Sequence, residues 1–251
     1  MWIDSHAHLF DYTTGALRQI IEEASVSSVS TIVSTATNLE NSKIVLSQCE
    51  LFSQLFGTVG VSPFDVENLP EFWLEELATL SKCSGIIGIG EIGIDKTNPR
   101  YPSYQKQLDC FRHQLGLAKK MDLPVVIHSR GAEEDALEIC LSEGIKRAVF
   151  HCFTGSLETA QKIISHDYFI SFSGIITFKN ARIREFVSSL PIKQLLIETD
   201  SPYLAPVPYR GQINKPSMVK LVGEELARLK NLDPELLQQQ LEKNFKRLFL
   251  E

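Results

Sequence analysis

Pro124-Val125-Val126-Ile127-His128-Ser129-Arg130 is apolar at three successive positions inside its leading proline and then turns polar at a histidine. A strand with one wet face alternates apolar and polar residues. A run without alternation is buried on both faces, as between a packed barrel interior and a ring of helices. Leu195-Leu196-Ile197 repeats the device before Glu198-Thr199-Asp200, and Ala148-Val149-Phe150 repeats it before His151. Working outward from these, the chain offers eight strand candidates, at 2–4, 31–34, 57–61, 86–89, 125–128, 148–151, 169–172 and 195–197. Helical periodicity predicts helices over 15–25, 39–53, 70–81, 103–121, 133–143, 156–165, 180–188, 216–230 and 234–250. Ser103 and Ser156 read as N-caps, and Pro216 and Pro234 suit first helical turns, where the missing N–H costs nothing. Strands alternating with helices signal βα units and a parallel sheet. Eight of them in 251 residues fit a (β/α)8 barrel, which takes roughly 250 residues. The expected architecture is α/β, one barrel domain over residues 1–251.

Composition narrows the function classes. A chain 43% hydrophobic and 22% charged has the apolar mass for a large core, which excludes disorder. The net charge is −6 and the basic residues are scattered, so no basic stripe is available to grip a duplex by counterion release. Cys49, Cys83, Cys110, Cys140 and Cys152 are odd in number and form no C-x-x-C pair, which reads as buried thiols in a reducing compartment. The polar opening Met1-Trp2-Ile3-Asp4-Ser5-His6 leaves no room for a signal peptide, and no run approaches the roughly 18 apolar residues of a membrane span. A cytoplasmic protein with no membrane association is expected.

His6 and His8 are one residue apart at the end of the first strand, so an extended backbone points both rings to the same side. Glu91 is expected just after strand four, His128 and His151 at the ends of strands five and six, and Asp200 after strand eight. In a (β/α)8 barrel these C-terminal strand ends converge on one mouth. His113, on an outer helix, and His166, after a helix, are expected to be solvated. Four imidazoles and two carboxylates exceed the needs of one tetrahedral ion and suit two divalent ions bridged by a carboxylate, with Glu91 as the bridge. A nitrogen-rich set favours zinc or manganese over magnesium, although availability leaves all three open. Such a pair suits attack of an activated water on a phosphoester, with Glu91 and Asp200 as the catalytic carboxylates and Asp200 also relaying the proton. Arg130, Arg210 and Lys215 are candidates for substrate phosphates, and Tyr203 for stacking on a base or sugar. Gly88-Ile89-Gly90-Glu91-Ile92-Gly93 matches G-x-G-x-x-G, but two prolines within residues 95–102 prevent the helix that a dinucleotide fingerprint needs. The glycines are instead expected to let the backbone crowd past the metal centre.

These residues resemble the TatD family of metal-dependent deoxyribonucleases along essentially the whole chain. The resemblance is carried by Asp4-Ser5-His6-Ala7-His8-Leu9, Gly60-Val61-Ser62-Pro63, Gly90-Glu91-Ile92-Gly93-Ile94-Asp95, the segment 124–130, His151-Cys152-Phe153-Thr154-Gly155, Glu198-Thr199-Asp200-Ser201-Pro202-Tyr203-Leu204, Arg210-Gly211 and Asn214-Lys215-Pro216. It implies a TIM barrel of the metal-dependent hydrolase type. It also implies one ion on His6, His8, Glu91 and Asp200, a second on Glu91, His128 and His151, and trimming of DNA from the 3′ end, at single strands or duplex ends; no obligate protein partner is expected. Four positions depart from the family pattern: Ser62 for a histidine, Lys96 for a tyrosine, Gly131 for an acidic residue and Tyr209 for a histidine. Two other readings remain: an amidohydrolase-like enzyme cleaving an amide or carboxylic ester, and a non-catalytic barrel that holds its metal for stability or partner binding.

Overall fold

The computed structural model describes residues 1–251. Its strands are β1 (Trp2–Ala7), β2 (Val29–Thr35), β3 (Leu55–Val59), β4 (Ile86–Gly93), β5 (Val125–His128), β6 (Ala148–Phe150), β7 (Phe169–Phe172) and β8 (Leu195–Ile197). All pair in parallel, in chain order, within one sheet. A bridge between Ala7 and Ser201, and a hydrogen bond from the His8 N–H to the Ser201 carbonyl at 2.7 Å, draw the first strand to the segment after the last. The sheet is thereby nearly closed into the expected (β/α)8 barrel.

Helices α1 (Thr14–Val26), α2 (Leu39–Leu51), α3 (Trp73–Leu80), α4 (Tyr104–Met121), α5 (Glu133–Ser142) and α6 (Leu157–Ser165) link successive strands, and α7 (Val219–Lys230) and α8 (Pro234–Phe249) follow β8. The caps act as the sequence implies: Ser103 Oγ accepts from the Lys106 N–H and Ser156 Oγ from the Thr159 N–H. Pro234 opens α8, while Pro216 opens a 3-10 turn, Pro216–Met218, ahead of α7. Two expectations need correction. The helix anticipated over 180–188 is a pair of 3-10 turns, Arg182–Glu185 and Val187–Ser189, because β-branched Ile183 and Val187 and the serines at 188 and 189 have little helix propensity and Pro191 closes off any extension. Glu91 lies inside β4, not after it. β4 outruns its apolar stretch because Gly93 pairs with His128 at φ +136, where an added Cβ would sit 2.0 Å from the His128 carbonyl oxygen. Only glycine fits that approach.

The interior is filled from one end. Ile3, Val33, Ile87, Val126, Val149, Phe169 and Leu196, one from each of seven strands, form a cluster with Phe245, Leu248 and Phe249 of α8, and Phe56 of β3 packs against it. Apolar burial at the N-terminal end leaves the C-terminal end of the barrel to polar side chains. No helix is long and apolar enough to cross a membrane.

Candidate metal centre

β1 carries His6 within the strand and His8 one residue past its end, with their Nε2 atoms 3.3 Å apart. Glu91 is buried between four imidazoles. Its Oε2 stands 3.6 Å from His6 Nε2 and 3.4 Å from His8 Nε2, while its Oε1 stands 2.9 Å from His128 Nδ1 and 3.5 Å from His151 Nε2. The carboxylate thus gives one oxygen to each pair of rings. Asp200 Oδ1 joins the first pair, 3.8 Å from His6 Nε2 and 3.4 Å from His8 Nε2. It gets there from a left-handed backbone (φ 56), a conformation aspartate tolerates better than most residues, with its N–H bonded to the His6 carbonyl at 3.0 Å.

The outward nitrogens explain why the inward ones are free. His8 Nδ1 donates to the Thr35 carbonyl at 3.0 Å, an oxygen that can only accept, so in the neutral ring Nε2 keeps its lone pair. His128 Nε2 faces Asp95 Oδ2 at 2.8 Å and His151 Nδ1 faces Glu198 Oε1 at 3.4 Å, so the neutral form of each ring carries its lone pair on the inward nitrogen. His6 Nδ1 is buried without a partner, and its ring stacks on that of His151 at 4.0 Å. Burial would raise Glu91, but the His151 charge and hydrogen bonds from His128, His151 and His6 hold its carboxyl well below the usual range. Burial likewise opposes ionisation of Asp200, yet the hydrogen bond and charge of His8 keep it low. Burial disfavours charge on His151, but Glu91 and Glu198 drive it well above the ordinary imidazole value, whereas burial and the charge of His151 lower His6.

Three donor triplets, His6 with His8 and Glu91, His6 with His151 and Asp200, and Glu91 with His128 and His151, each keep their ligand atoms within 4.8 Å. Electron-pair donors crowded this closely without apolar spacing need positive charge among them, so the set fits divalent ions.

A cavity of about 540 Å³ opens over these groups, lined also by Phe10, Thr37, Phe64, Asp65, Arg130, Tyr203 and Leu204. Arg130 and Tyr203 therefore reach the mouth as expected. Arg210 and Lys215 do not line it: the Arg210 guanidinium lies over the Phe178 ring at 3.7 Å, and Lys215 pairs with Glu23 of α1 at 2.7 Å. His113 and His166 are exposed, and all five cysteines are free. Sequence reasoning gave no role to Asp95, Glu198, Phe10 or Phe64. A carboxylate following the apolar run 195–197 was the available signal for Glu198. Nothing local marks the two phenylalanines, which meet the site through the edges of His8 and His128.

A nearly closed parallel barrel whose C-terminal mouth gathers four imidazoles around a shared carboxylate defines the class, a metal-dependent hydrolase of the α/β-barrel kind. The family model described as TatD related DNase matches residues 3–250, and the chain belongs to the TatD family of metal-dependent hydrolases. It is 37% identical to the uncharacterized metal-dependent hydrolase YabD of Bacillus subtilis (99% of each chain) and 36% identical to the uncharacterized metal-dependent hydrolase YcfH of Escherichia coli K12 (98% of this chain, 95% of that one). The crystal structure of YjjV, a TatD homologue from Escherichia coli K12, superposes with a TM-score of 0.94 at 30% identity, covering 100% of this chain and 98% of the other.

Proposed function

We propose that this protein hydrolyses phosphodiester bonds at DNA ends, trimming single strands or duplex ends from the 3′ side. His6, His8, Glu91 and Asp200 hold one divalent ion and Glu91, His128 and His151 a second, each zinc, manganese or magnesium. The observation that carries this reading is the Glu91 carboxylate, with one oxygen toward each imidazole pair. Bound there, a pair of ions acidifies water and neutralises charge on phosphoryl oxygens. The protein supplies the rest. Asp200, held ionised beside His8, accepts a proton released at the centre. Arg130 offers the cavity's one guanidinium to a phosphate. Tyr203, 61% exposed, and Phe64 present rings to a terminal base or sugar. The cavity volume suits a chain terminus rather than a continuous duplex, which agrees with a net charge of −6 and the lack of a basic stripe.

The test pairs metal quantification with end-labelled single-stranded DNA for wild type and Glu91→Ala. Wild type is expected to carry divalent ions and shorten the strand, and the variant to lose ions and to cut more than about 100-fold more slowly, since even residues behind metal ligands are worth about 10–100-fold. Equal cleavage by both removes Glu91 from the reaction. Cleavage of small amides or carboxylic esters, with none of DNA, moves the protein to the amidohydrolase-like reading.

A further inference from the structure

The two halves of the centre are supported differently from behind. In the first, His8 is backed by the neutral Thr35 carbonyl, and His6 Nδ1 has no partner. In the second, both rings end on buried carboxylates, His128 on Asp95 and His151 on Glu198.

Asp95 is itself held. Its Oδ1 accepts from the Thr97 N–H at 2.7 Å and the Thr97 hydroxyl at 2.6 Å, leaving Oδ2 for His128. Its own N–H donates to Gln107 Oε1 at 2.8 Å, and Gln107 Nε2 donates to the Pro102 carbonyl at 2.7 Å. A continuous set of bonds therefore runs from α4, through the loop after β4, to the inward lone pair of His128. Gly131 makes room for it: its backbone lies at φ +68, and an added Cβ would press on the Thr97 methyl at 3.1 Å.

A carboxylate behind an imidazole fixes the tautomer, holds the ring plane and raises the basicity of the opposite nitrogen. The first subsite has four donors and the second only three. We propose that Asp95, supported by Thr97 and joined by Glu198, is a positioning residue that gives the three-donor subsite its affinity. With only three protein donors, that subsite would leave room for water and a substrate oxygen beside a bound ion. This rests on the two-ion reading above.

The experiment titrates the chelator-stripped full-length protein with Mn²⁺ by calorimetry, comparing wild type, Asp95→Asn and Thr97→Val, with the thermal melt of each ion-free protein alongside. Wild type is expected to take two ions. Asp95→Asn preserves size but removes charge, and is expected to weaken one binding step about 10–100-fold, leaving the other step and the ion-free melt unchanged. Thr97→Val weakens the same step by less and serves if Asp95→Asn fails to fold. Two ions bound with wild-type affinities by both variants overturn the positioning role while leaving the two-ion reading intact. Equal weakening of both steps together with a lower ion-free melt shows a merely structural role and also overturns it. A wild type that binds no ion removes the two-ion reading itself.

Discussion

Asp4 holds the barrel shut. Its carboxyl oxygens accept from the Thr199 N–H at 2.8 Å and the Thr199 hydroxyl at 2.6 Å, joining β1 to the turn that delivers Asp200. Burial pushes its carboxyl up to about 8, against the pull of those bonds. Asp4→Ala would leave the buried Thr199 amide without an acceptor, an expected loss of about 1–3 kcal/mol measurable by urea unfolding of the ion-free protein. The four departures from the family pattern also resolve at this scale. Ser62 is fully buried, does not line the cavity, and donates its hydroxyl to Asp65 at 3.2 Å. Lys96 pairs with Asp135, which also accepts from the Tyr104 hydroxyl. Gly131 accommodates Thr97, and Tyr209 is 40% exposed outside the mouth. The six expected donors were legible because imidazoles and carboxylates at strand ends have few other uses. Asp95 and Asp4 were not, because a carboxylate beside a ligand motif gives no sign of which distant hydrogen it accepts.

At the scale of elements, the segment after β7 lacks the helix its neighbours have and is tied down by side chains. Arg184 donates to the Ile176 carbonyl at 2.6 Å and to Glu225 of α7 at 2.5 Å, and Arg228 completes the group. The Arg228 hydrogen bond, aided by Arg184 and opposed by burial, lowers the Glu225 carboxyl from 4.5. For an acid depressed in the folded state, the stabilisation is present above the unfolded value and is lost as pH falls through the folded one. Glu225→Gln is therefore expected to cost about 1 kcal/mol at neutral pH, the scale of a partly exposed pair, and the gap between the two proteins should close as pH falls below 4.5. Melting curves across that range decide it, and a constant gap would assign the loss to packing. Strand and helix alternation was readable from periodicity. The extent of β4 was not, because it depends on how near β5 lies to Gly93.

Over the whole molecule, apolar mass at the N-terminal end, sealed by α8, opposes a polar mouth that concentrates buried carboxylates and imidazoles. Ions that bind only the folded chain must stabilise it. At about 100 times the dissociation constant each contributes about 2.7 kcal/mol, or about 5–10 °C for a chain of this size. Stripping both ions with a chelator is expected to lower the melting temperature by about twice that, about 10–20 °C, and restoring Mn²⁺ or Zn²⁺ to reverse it, as read by calorimetry. An unchanged melt would separate the donors from ion binding. The sequence by itself determined the barrel and its six inward donors, since burial on both faces imposes continuous apolar runs and each run ends at the same mouth. Only the tertiary structure decided that Arg210 and Lys215 turn away from that mouth, that Phe10 and Phe64 line it, and that Asp95 and Glu198 stand behind two of the rings. Those outcomes depend on side-chain direction and on the spacing of elements far apart in the chain, and local pattern encodes neither.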